Sequence, residues 1–331
     1  MGVRGFWFIF VAMKVVKNIV IGLKGFFMGA ANVVPGVSGG TIALVSGIYE
    51  ELIEALNAVM SPANWKALFQ GKVKEFWQGI HGNFLFWLLL GTALSIFSLA
   101  KLVERGLARN PILIWAFFFG LILASVFFML RDIKGWKWKD VLVTVIGVAL
   151  GFVVCTLSPT ETTEDMWFIF VCGAIAICTM ILPGISGSFI LVILGKYDYI
   201  MAAVSNMNIP VLAVFAVGCA VGILAFAKFL HWVLGRWERQ TMLVLVGFVI
   251  GSLVKVWPWA DMDSCAKAQL LRADLMPEAL AGTDSAAGAF DLLTEMGETF
   301  DPQVVGAVIC CVVGIVLIVA IEKLSAQKKA Q

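Results

Sequence analysis

Charged residues are scarce in this chain, and neither sign dominates. They make up 14% of its 331 residues, against 61% hydrophobic residues, and the formal net charge is +2. This near balance excludes the basic surface that a nucleic-acid-binding protein needs. Soluble domains contain about 25% charged residues, so the composition indicates lipid as the main solvent. The combination of 3 Tyr with 25 Phe and 12 Trp suits helices that face lipid and place Trp near the headgroups.

Signatures of metal or cofactor chemistry are also missing. The chain has 2 His and 7 Cys, and no Cys is spaced from a His as metal ligands would be. Every Cys except Cys265 lies in an apolar run, where a thiol behaves as a small hydrophobe. No Walker motif or dinucleotide fingerprint occurs. We expect no disulfide, no metal site, no cofactor and no enzymatic activity.

Two kinds of apolar segment alternate along the chain. Six runs have the length of a membrane-crossing helix: 84–103, 112–130, 141–157, 211–230, 241–257 and 304–321. Segments 19–57 and 167–204 are instead interrupted at their middle by Pro-Gly clusters, which break helices. An arm of about 16 residues spans only ~24 Å. We therefore predict that both segments are re-entrant helix–break–helix hairpins.

Lys and Arg in the short loops predict the orientation. The N-terminal segment 1–18 and the tail 322–331 fall on the cytoplasmic side, whereas the acidic loop 258–303 falls outside. The N-terminal stretch lacks a small-residue cleavage site, so we expect it to be retained. Residues 62–82 alternate aromatic residues with Lys, which favours an interfacial helix on the inner leaflet over a ligand site.

The chain contains an internal repeat. Placing Pro35 over Pro183 aligns the two Pro-Gly clusters, and small shifts then align Gly91 with Gly218 and Gly120 with Gly251. The halves are 19–157 and 167–321, each with one hairpin and three crossing helices. Three crossings are an odd number, so the second half enters the membrane inverted. We predict an all-α membrane protein built as an inverted repeat, an architecture typical of secondary transporters.

The broken helices provide candidate sites for an anion. A helix that restarts after a break presents unpaired N–H groups and a partial positive charge. Ser38 and Ser186 are placed to cap such helices, and nearby glycines allow a ligand close to the backbone. Two such ends that face each other would hold a phosphate. The alternative is that small residues only let the helices kink and pack. The predicted phosphate-binding residues are Ser38, Gly39, Gly40, Thr41, Ser186, Gly187 and Ser188.

Four cations, Lys101, Arg109, Lys228 and Arg236, occupy matching positions in the two halves. The first two fall outside, against the charge rule, so we hypothesise that the four attract an anion at either entrance. The alternative is that they are basic residues snorkelling at helix ends.

Acidic residues follow the first hairpin. Glu50 begins an acidic cluster there, and Asp198 is its counterpart in the second half. These carboxylates either relay protons or bind a coupling cation, or they are solvated charges at helix ends.

The sequence also fits a rival chemistry. Gly36-Val37-Ser38-Gly39 matches the G-x-S-G pattern of intramembrane serine proteases, and His231 is a possible base. The motif occurs in both halves whereas no His is duplicated with it, so we favour transport over hydrolysis.

The two motifs resemble those of a known family. Gly29-Ala-Ala-Asn-Val-Val-Pro-Gly-Val-Ser-Gly-Gly-Thr41, followed by Gly47-Ile-Tyr-Glu50, is similar to the signature of the PopT-type bacterial polyprenyl-phosphate transporters, as is Leu182-Pro-Gly-Ile-Ser-Gly-Ser-Phe-Ile190. The likeness covers nearly the whole chain. That family often has Asp where this chain has Asn32, so the resemblance makes Asn32 a further possible coupling residue, although it has no carboxylate to ionise.

The resemblance implies a substrate and a location. It implies transport of undecaprenyl phosphate from the outer to the inner leaflet of the bacterial cytoplasmic membrane, as a flippase. The lipid tail would stay in the bilayer while the phosphate crosses, which suits a polar path made of small residues and helix ends. The alternative is a transporter or channel for a small soluble anion, which would use the same cradle.

Overall fold

The structure is a computed structural model, and it describes residues 3–33, 38–160, 162–276 and 286–329. Across these ranges every assigned element of regular secondary structure is a helix, which confirms the all-α class. In chain order they are α1 (Val3–Val33), α2 (Gly39–Val45), α3 (Tyr49–Val59), α4 (Pro62–Phe69), α5 (Val73–Gly79), α6 (Gly82–Arg109), α7 (Pro111–Asp132), α8 (Trp138–Thr156), α9 (Met166–Ile181), α10 (Gly187–Ile193), α11 (Tyr197–Ser205), α12 (Ile209–Ser252), α13 (Met262–Arg272), α14 (Ala289–Glu295) and α15 (Val304–Lys329).

Several helices have the length and composition of membrane spans. Among the described residues, α6, α7, α8 and α12 are long and apolar enough to cross a bilayer. Helices α10 and α11 form an apolar pair bent by 112°, and α9 and α15 supply shorter apolar stretches. The chain is therefore a multi-pass membrane protein.

The loop expected between spans 211–230 and 241–257 is absent, which corrects that prediction. Helix α12 runs for 44 residues, and within it only Trp237 leaves helical geometry, with φ −138° and ψ 49°. Residues 231–240 contain Arg, Glu and Gln, which are good helix formers, so one kinked residue replaces the loop. The helical segments on either side of Trp237 contain the two predicted crossings. Helix α12 ends at Ser252 instead of 257, where turns lead into Pro258.

Helix α6 also extends beyond its predicted end. It continues from the expected limit at 103 to Arg109, so the basic residues assigned to a loop lie on a helix instead. Lys and Arg favour helix, and the helix ends just before Asn110-Pro111, where Pro111 occupies the first turn of α7. At the termini, α1 is continuous through residue 18, and α15 continues beyond 321 to Lys329.

The chain divides into two compact units. Unit 1 contains Met1–Ala100 and Leu157–Leu245, and unit 2 contains Lys101–Thr156 and Val246–Gln331. Each unit therefore takes one segment from each half of the predicted repeat.

Equivalent glycine contacts occur twice in unit 1. A Cβ added at Gly25 of α1 would overlap the carbonyl oxygen of Leu88 on α6. One added at Gly173 of α9 would overlap the carbonyl oxygen of Phe215 on α12. The register of the predicted repeat aligns Gly25 with Gly173 and Leu88 with Phe215. The same backbone approach, which only a small residue permits, thus occurs in both segments of unit 1.

Unit 2 contains a corresponding pair of crossings. A Cβ at Gly120 of α7 would overlap the carbonyl oxygen of Cys311 on α15, and one at Gly251 of α12 would overlap that of Val148 on α8. Gly120 and Gly251 are aligned in the predicted repeat. These contacts agree with a repeat, whereas the opposite orientation of its halves in the membrane stays a prediction.

The second arm of each hairpin is broken, although we expected each to be continuous. Gly47 separates α2 from α3 with φ +67°, and Gly195 separates α10 from α11 with φ +62°. The amide of Ile48 donates to Ala43 O at 3.0 Å, and that of Gly47 donates to Leu44 O at 3.1 Å. This pair of bonds is the Schellman arrangement, which needs a left-handed residue and therefore favours glycine.

Two surface segments take a more detailed form than the sequence indicates. Residues 62–82 form two short helices, α4 and α5, joined at Gly71, which has φ +76°. The loop 258–303 contains α13 and α14, which bury a small apolar cluster of their own around Leu270 and Leu293. Cys265 of α13 packs with Ile112 of α7 and Ala307 of α15, so the described residues of this loop are a folded part of unit 2.

Candidate functional site

The second hairpin breaks where its Pro-Gly cluster lies. Helix α9 ends at Ile181, because Pro183 disfavours helical geometry in the residue before it. Gly184 has φ +96°, which turns the chain toward α10. Ser186 caps α10, and its Oγ accepts a hydrogen bond from the amide of Phe189 at 3.2 Å. We call Leu182–Ser188 the second tip.

The first hairpin has a matching cap. Helix α1 ends at Val33, and residues 34–37, which contain Pro35 and Gly36 of the motif, lie outside the described residues. Ser38 caps α2 and accepts from the amide of Gly40 at 3.1 Å. We call Ser38–Thr41 the first tip.

The two tips are in direct contact within unit 1. The Ser38 hydroxyl donates to Leu182 O at 3.2 Å, and the amide of Gly184 donates to Thr41 Oγ1 at 2.7 Å. A Cβ at Gly40 would lie 2.6 Å from Ile181 O, so only glycine fits there. The predicted phosphate-binding residues of the first half therefore contact the break that directly precedes those of the second half.

The first tip is closed in this conformation. Three of its amides have acceptors in the chain: Gly39 donates to Asn32 Oδ1 at 2.7 Å, Gly40 donates to Ser38 Oγ at 3.1 Å, and Thr41 donates to Ser38 O at 3.0 Å. Ser38 and Thr41 are each 1% exposed. This differs from the expectation that both tips present free donors.

The second tip is more open. Ser186 is half-buried and Ser188 is exposed, with 3.0 Å between their Oγ atoms. Within the described part of the chain, the amides of Gly187 and Ser188 have no hydrogen-bond acceptor. These two amides, with the one hydroxyl hydrogen that the Ser186–Ser188 hydrogen bond leaves, are the donors that remain for an anion.

Two lysines lie near Gly47 and Gly195, and the sequence analysis did not identify either as a site residue. Lys24 Nζ donates to Ser46 O at 2.5 Å, at the C-terminal end of α2. Lys196 follows α10, is 3% exposed and donates to Thr162 O at 2.8 Å. A cation at a helix C-terminus is favourable because it faces the negative end of the helix dipole. The signal for Lys196 was a lone Lys between the apolar stretches of the second hairpin.

The candidate coupling residues lie in different surroundings. The Oδ1 atom of Asn32 accepts a hydrogen bond from the Gly39 amide of the first tip. Glu50 lines a cavity of about 160 Å³ together with Glu54, Glu238 and His231. Asp198 is exposed in the first turn of α11. The structure thus groups Glu50 with further titratable residues and leaves Asp198 apart from them.

The four candidate entrance cations are exposed on long helices. Lys228 and Arg236 lie on the part of α12 in unit 1, and the Arg236 guanidinium stacks on the Trp237 ring at 5.3 Å. Lys101 and Arg109 lie on the part of α6 in unit 2, where the carbonyl of Arg109 accepts a hydrogen bond from Arg272.

The geometry required for a serine hydrolase is not found among the described residues. Ser38 contacts main-chain groups, Ser186 contacts Ser188 and a main-chain amide, and neither has a His partner. His231 lies instead in the cavity with Glu50.

Comparison with known proteins agrees with the two motifs. Residues 28–271 match the family described as VCA0040-like, undecaprenyl phosphate translocase-like. The match includes both Pro-Gly motifs and all of the second hairpin. This chain belongs to that family.

Curated relatives support the assignment. The chain is 44% identical over 242 residues to a polyprenyl-phosphate transporter of Vibrio cholerae serotype O1, covering 72% of this chain and 77% of that protein. It is 32% identical over 255 residues to a polyprenyl-phosphate transporter of Staphylococcus aureus, covering 71% of this chain and 85% of that protein. No solved structure gives a significant match. The relatives are transporters and not enzymes, which confirms the predicted class and the resemblance seen in the motifs.

Proposed function

We propose that this protein transports polyprenyl phosphate, and specifically that it flips undecaprenyl phosphate from the outer to the inner leaflet of the bacterial cytoplasmic membrane. In this proposal both termini are cytoplasmic and the two halves are inverted. The lipid phosphate binds at the tips while the polyprenyl tail remains in the bilayer.

The observation that carries the proposal is the direct contact between the two tips. Thr41 Oγ1 accepts from the Gly184 amide at 2.7 Å, so residues far apart in the chain share one small polar region within apolar helices. Placing polar groups inside a membrane costs free energy, so such groups commonly have a function. Small residues and helix ends suit a phosphate headgroup, since backbone amides bind phosphate oxygens directly.

The unequal tips suggest how the binding site works. The hydroxyls of Ser186 and Ser188, with the amides of Gly187 and Ser188, bind the phosphate first. The first tip joins when Asn32 releases the Gly39 amide and the Thr41–Gly184 bond opens. Substrate binding and the separation of the tips are then coupled, which is a requirement of alternating access.

The cations complete the proposal at the two entrances. Lys228 and Arg236 on one side, and Lys101 and Arg109 on the other, raise the local concentration of the anionic headgroup through long-range attraction. They do so without taking part in the tips. Glu50 and Asp198, with Asn32, remain the candidates for coupling transport to a cation or a proton.

Transport by purified protein tests the function. The protein is reconstituted in liposomes that carry a fluorescent polyprenyl phosphate, and loss of label from the outer leaflet is followed with an impermeant quencher. We expect Ser186→Ala to slow this movement about tenfold, the effect of one charge-assisted hydrogen bond. Ser98→Ala is the matched control, because Ser98 is exposed on α6 and bonds only to its own helix.

The same liposomes distinguish the alternative substrate. If the protein moves soluble inorganic phosphate and leaves the labelled lipid in place, it is a small-anion transporter and the proposal is wrong.

A further inference from the structure

Unit 1 contains a second cavity that shares no lining residue with the tips. It has a volume of about 320 Å³ and lies between α1, α3 and the junction of α5 with α6. This volume lies within the range of small-molecule sites, roughly 300–1,000 Å³. Its polar lining residues are Lys17, Asn18, Glu51, Gln78, His81 and Asn83. None of them belongs to the site already described.

His81 occupies a backbone position that favours glycine. It follows the end of α5 with φ +54°, a left-handed geometry that is uncommon for residues with a side chain. The next residue, Gly82, has a separate reason to be glycine, because a Cβ there would overlap the Trp77 indole. The chain thus keeps an imidazole at the cavity where glycine would be easier to accommodate.

The cavity combines both signs of charge. Lys17 and Glu51 both line it, and no ion pair joins these two described residues. Around them are neutral amides, of which Asn83 donates to Asn18 at 2.9 Å. A ligand with a single negative charge would meet repulsion from Glu51. A ligand that carries a phosphate and an ammonium matches Lys17 and Glu51 together.

The surrounding surface is typical of a membrane interface. Phe69 of α4 is 85% exposed, Trp77 of α5 is 44% exposed, and Trp65 packs against Phe76 while remaining 41% exposed. Exposed Trp and Phe with neighbouring Lys on short helices favour the headgroup region of a bilayer. The cavity therefore opens among residues that lie where lipid headgroups are found.

We infer that this cavity binds the zwitterionic phosphoethanolamine headgroup of a bilayer lipid. Lys17 and His81 contact the phosphate oxygens, and Glu51 accepts from the ammonium group. The amides of Gln78 and Asn83 supply further hydrogen bonds. The site is separate from substrate transport, and it holds a lipid whose net charge differs from that of a polyprenyl phosphate.

Native mass spectrometry of the purified full chain tests the inference. The protein is exchanged into mixed micelles of phosphatidylethanolamine and phosphatidylglycerol, and the retained lipid is counted for each variant. We expect one tightly held phosphatidylethanolamine on the wild type. Lys17→Gln should weaken retention of both lipids about tenfold. Glu51→Gln should weaken phosphatidylethanolamine and strengthen phosphatidylglycerol, a reversal that a folding defect does not produce.

Two further variants serve as controls. His81→Gly relieves the backbone at the left-handed position, so a loss of bound lipid there cannot be attributed to misfolding. Glu75→Gln removes an exposed carboxylate on α5 that pairs with Lys72 outside the cavity, and it should leave lipid binding unchanged.

The opposite results would overturn the inference. Equal retention of the two lipids, with no change in Glu51→Gln, would show that the cavity does not recognise a zwitterion. Displacement of the bound lipid by equimolar polyprenyl phosphate, lost in Lys17→Gln, would assign the cavity to the transported lipid instead. Soluble glycerophosphoethanolamine, added as a competitor, separates recognition of the headgroup from retention through the acyl chains. Because none of these readouts is transport, they remain valid if the proposed function fails.

Discussion

The amide of Gly184 donates to Thr41 Oγ1 at 2.7 Å, and this bond joins the break of one hairpin to the first turn after the other. Thr41 is 1% exposed, so water does not replace the bond when it is lost. A buried donor left without an acceptor costs about 1–3 kcal/mol. The contact between the tips therefore depends on one hydroxyl in the first half of the chain.

Thr41→Val should break this contact at nearly constant volume. We expect it to lower the free energy of unfolding by about 1–3 kcal/mol, because the Gly184 amide loses its acceptor. The midpoint of thermal unfolding in detergent measures the change. Thr41→Ser keeps the hydroxyl and should lose much less. A neutral Thr41→Val together with a destabilising Thr41→Ser would show that the methyl group of Thr41, and not the hydrogen bond, holds the tips.

The two capping serines should differ in the kind of defect that they cause. Ser38 is buried and bonds to both its own helix and Leu182, so Ser38→Ala should cost about 1–2 kcal/mol of stability. Ser186 is half-buried, and Ser186→Ala should mainly raise the KM for polyprenyl phosphate. Measuring unfolding and initial transport rates for both variants separates these effects. Identical profiles would contradict the asymmetry between the tips.

The hairpin breaks could be predicted from the sequence, because Pro and Gly act locally. Ser38 and Ser186 are found as caps at the predicted positions for the same reason. The second break of each hairpin was missed, although the register that places Pro35 over Pro183 also places Gly47 over Gly195. A single glycine within an apolar run is compatible with a continuous helix, and its left-handed geometry is fixed only by the Schellman bonds at the end of a short helix.

The closed state of the first tip could not be predicted. It depends on Asn32 reaching Gly39 and on Thr41 reaching the other half of the chain. Neither contact produces a periodic pattern in the sequence, because each joins residues that meet only through tertiary packing. Likewise, the kink that joins the two parts of α12 could not be predicted, because polar residues such as those at 231–240 occur both in loops and in helices.

Helix crossings in unit 1 should tolerate no added methyl group at their closest points. A Cβ at Gly218 of α12 would overlap the carbonyl oxygen of Phe170 on α9, so Gly218→Ala should cost about 1–3 kcal/mol. Gly235 lies on the same helix with no atom within 4 Å of an added Cβ. Gly235→Ala should therefore stabilise the protein by up to about 1 kcal/mol. Chemical denaturation in mild detergent compares the two. A neutral Gly218→Ala would mean that α9 and α12 do not approach this closely.

Cys265 should be unreactive in the folded protein. The thiol is 3% exposed and lies against Pro258 O, and its burial, together with the negative charge of Asp261, raises its pKa to about 11. The thiolate is the reactive form. About one molecule in a thousand carries it at pH 8, because pH 8 is about 3 units below this pKa. Alkylation at pH 8 should be negligible in the native state and should appear on unfolding, when burial ends and the pKa falls.

Peptide mass spectrometry after maleimide treatment measures the labelled fraction of Cys265 separately from the other cysteines. Met262→Cys is the matched control, because position 262 lies on the same helix and is 36% exposed. We expect that variant to react within minutes while Cys265 does not. If Cys265 reacts as fast as the control, α13 is not packed against α7 and α15. An impermeant maleimide added to intact cells should also label the variant, since the orientation predicted from the basic loops places residues 258–303 outside. Labelling only after the cells are opened would place this loop in the cytoplasm and contradict the predicted orientation.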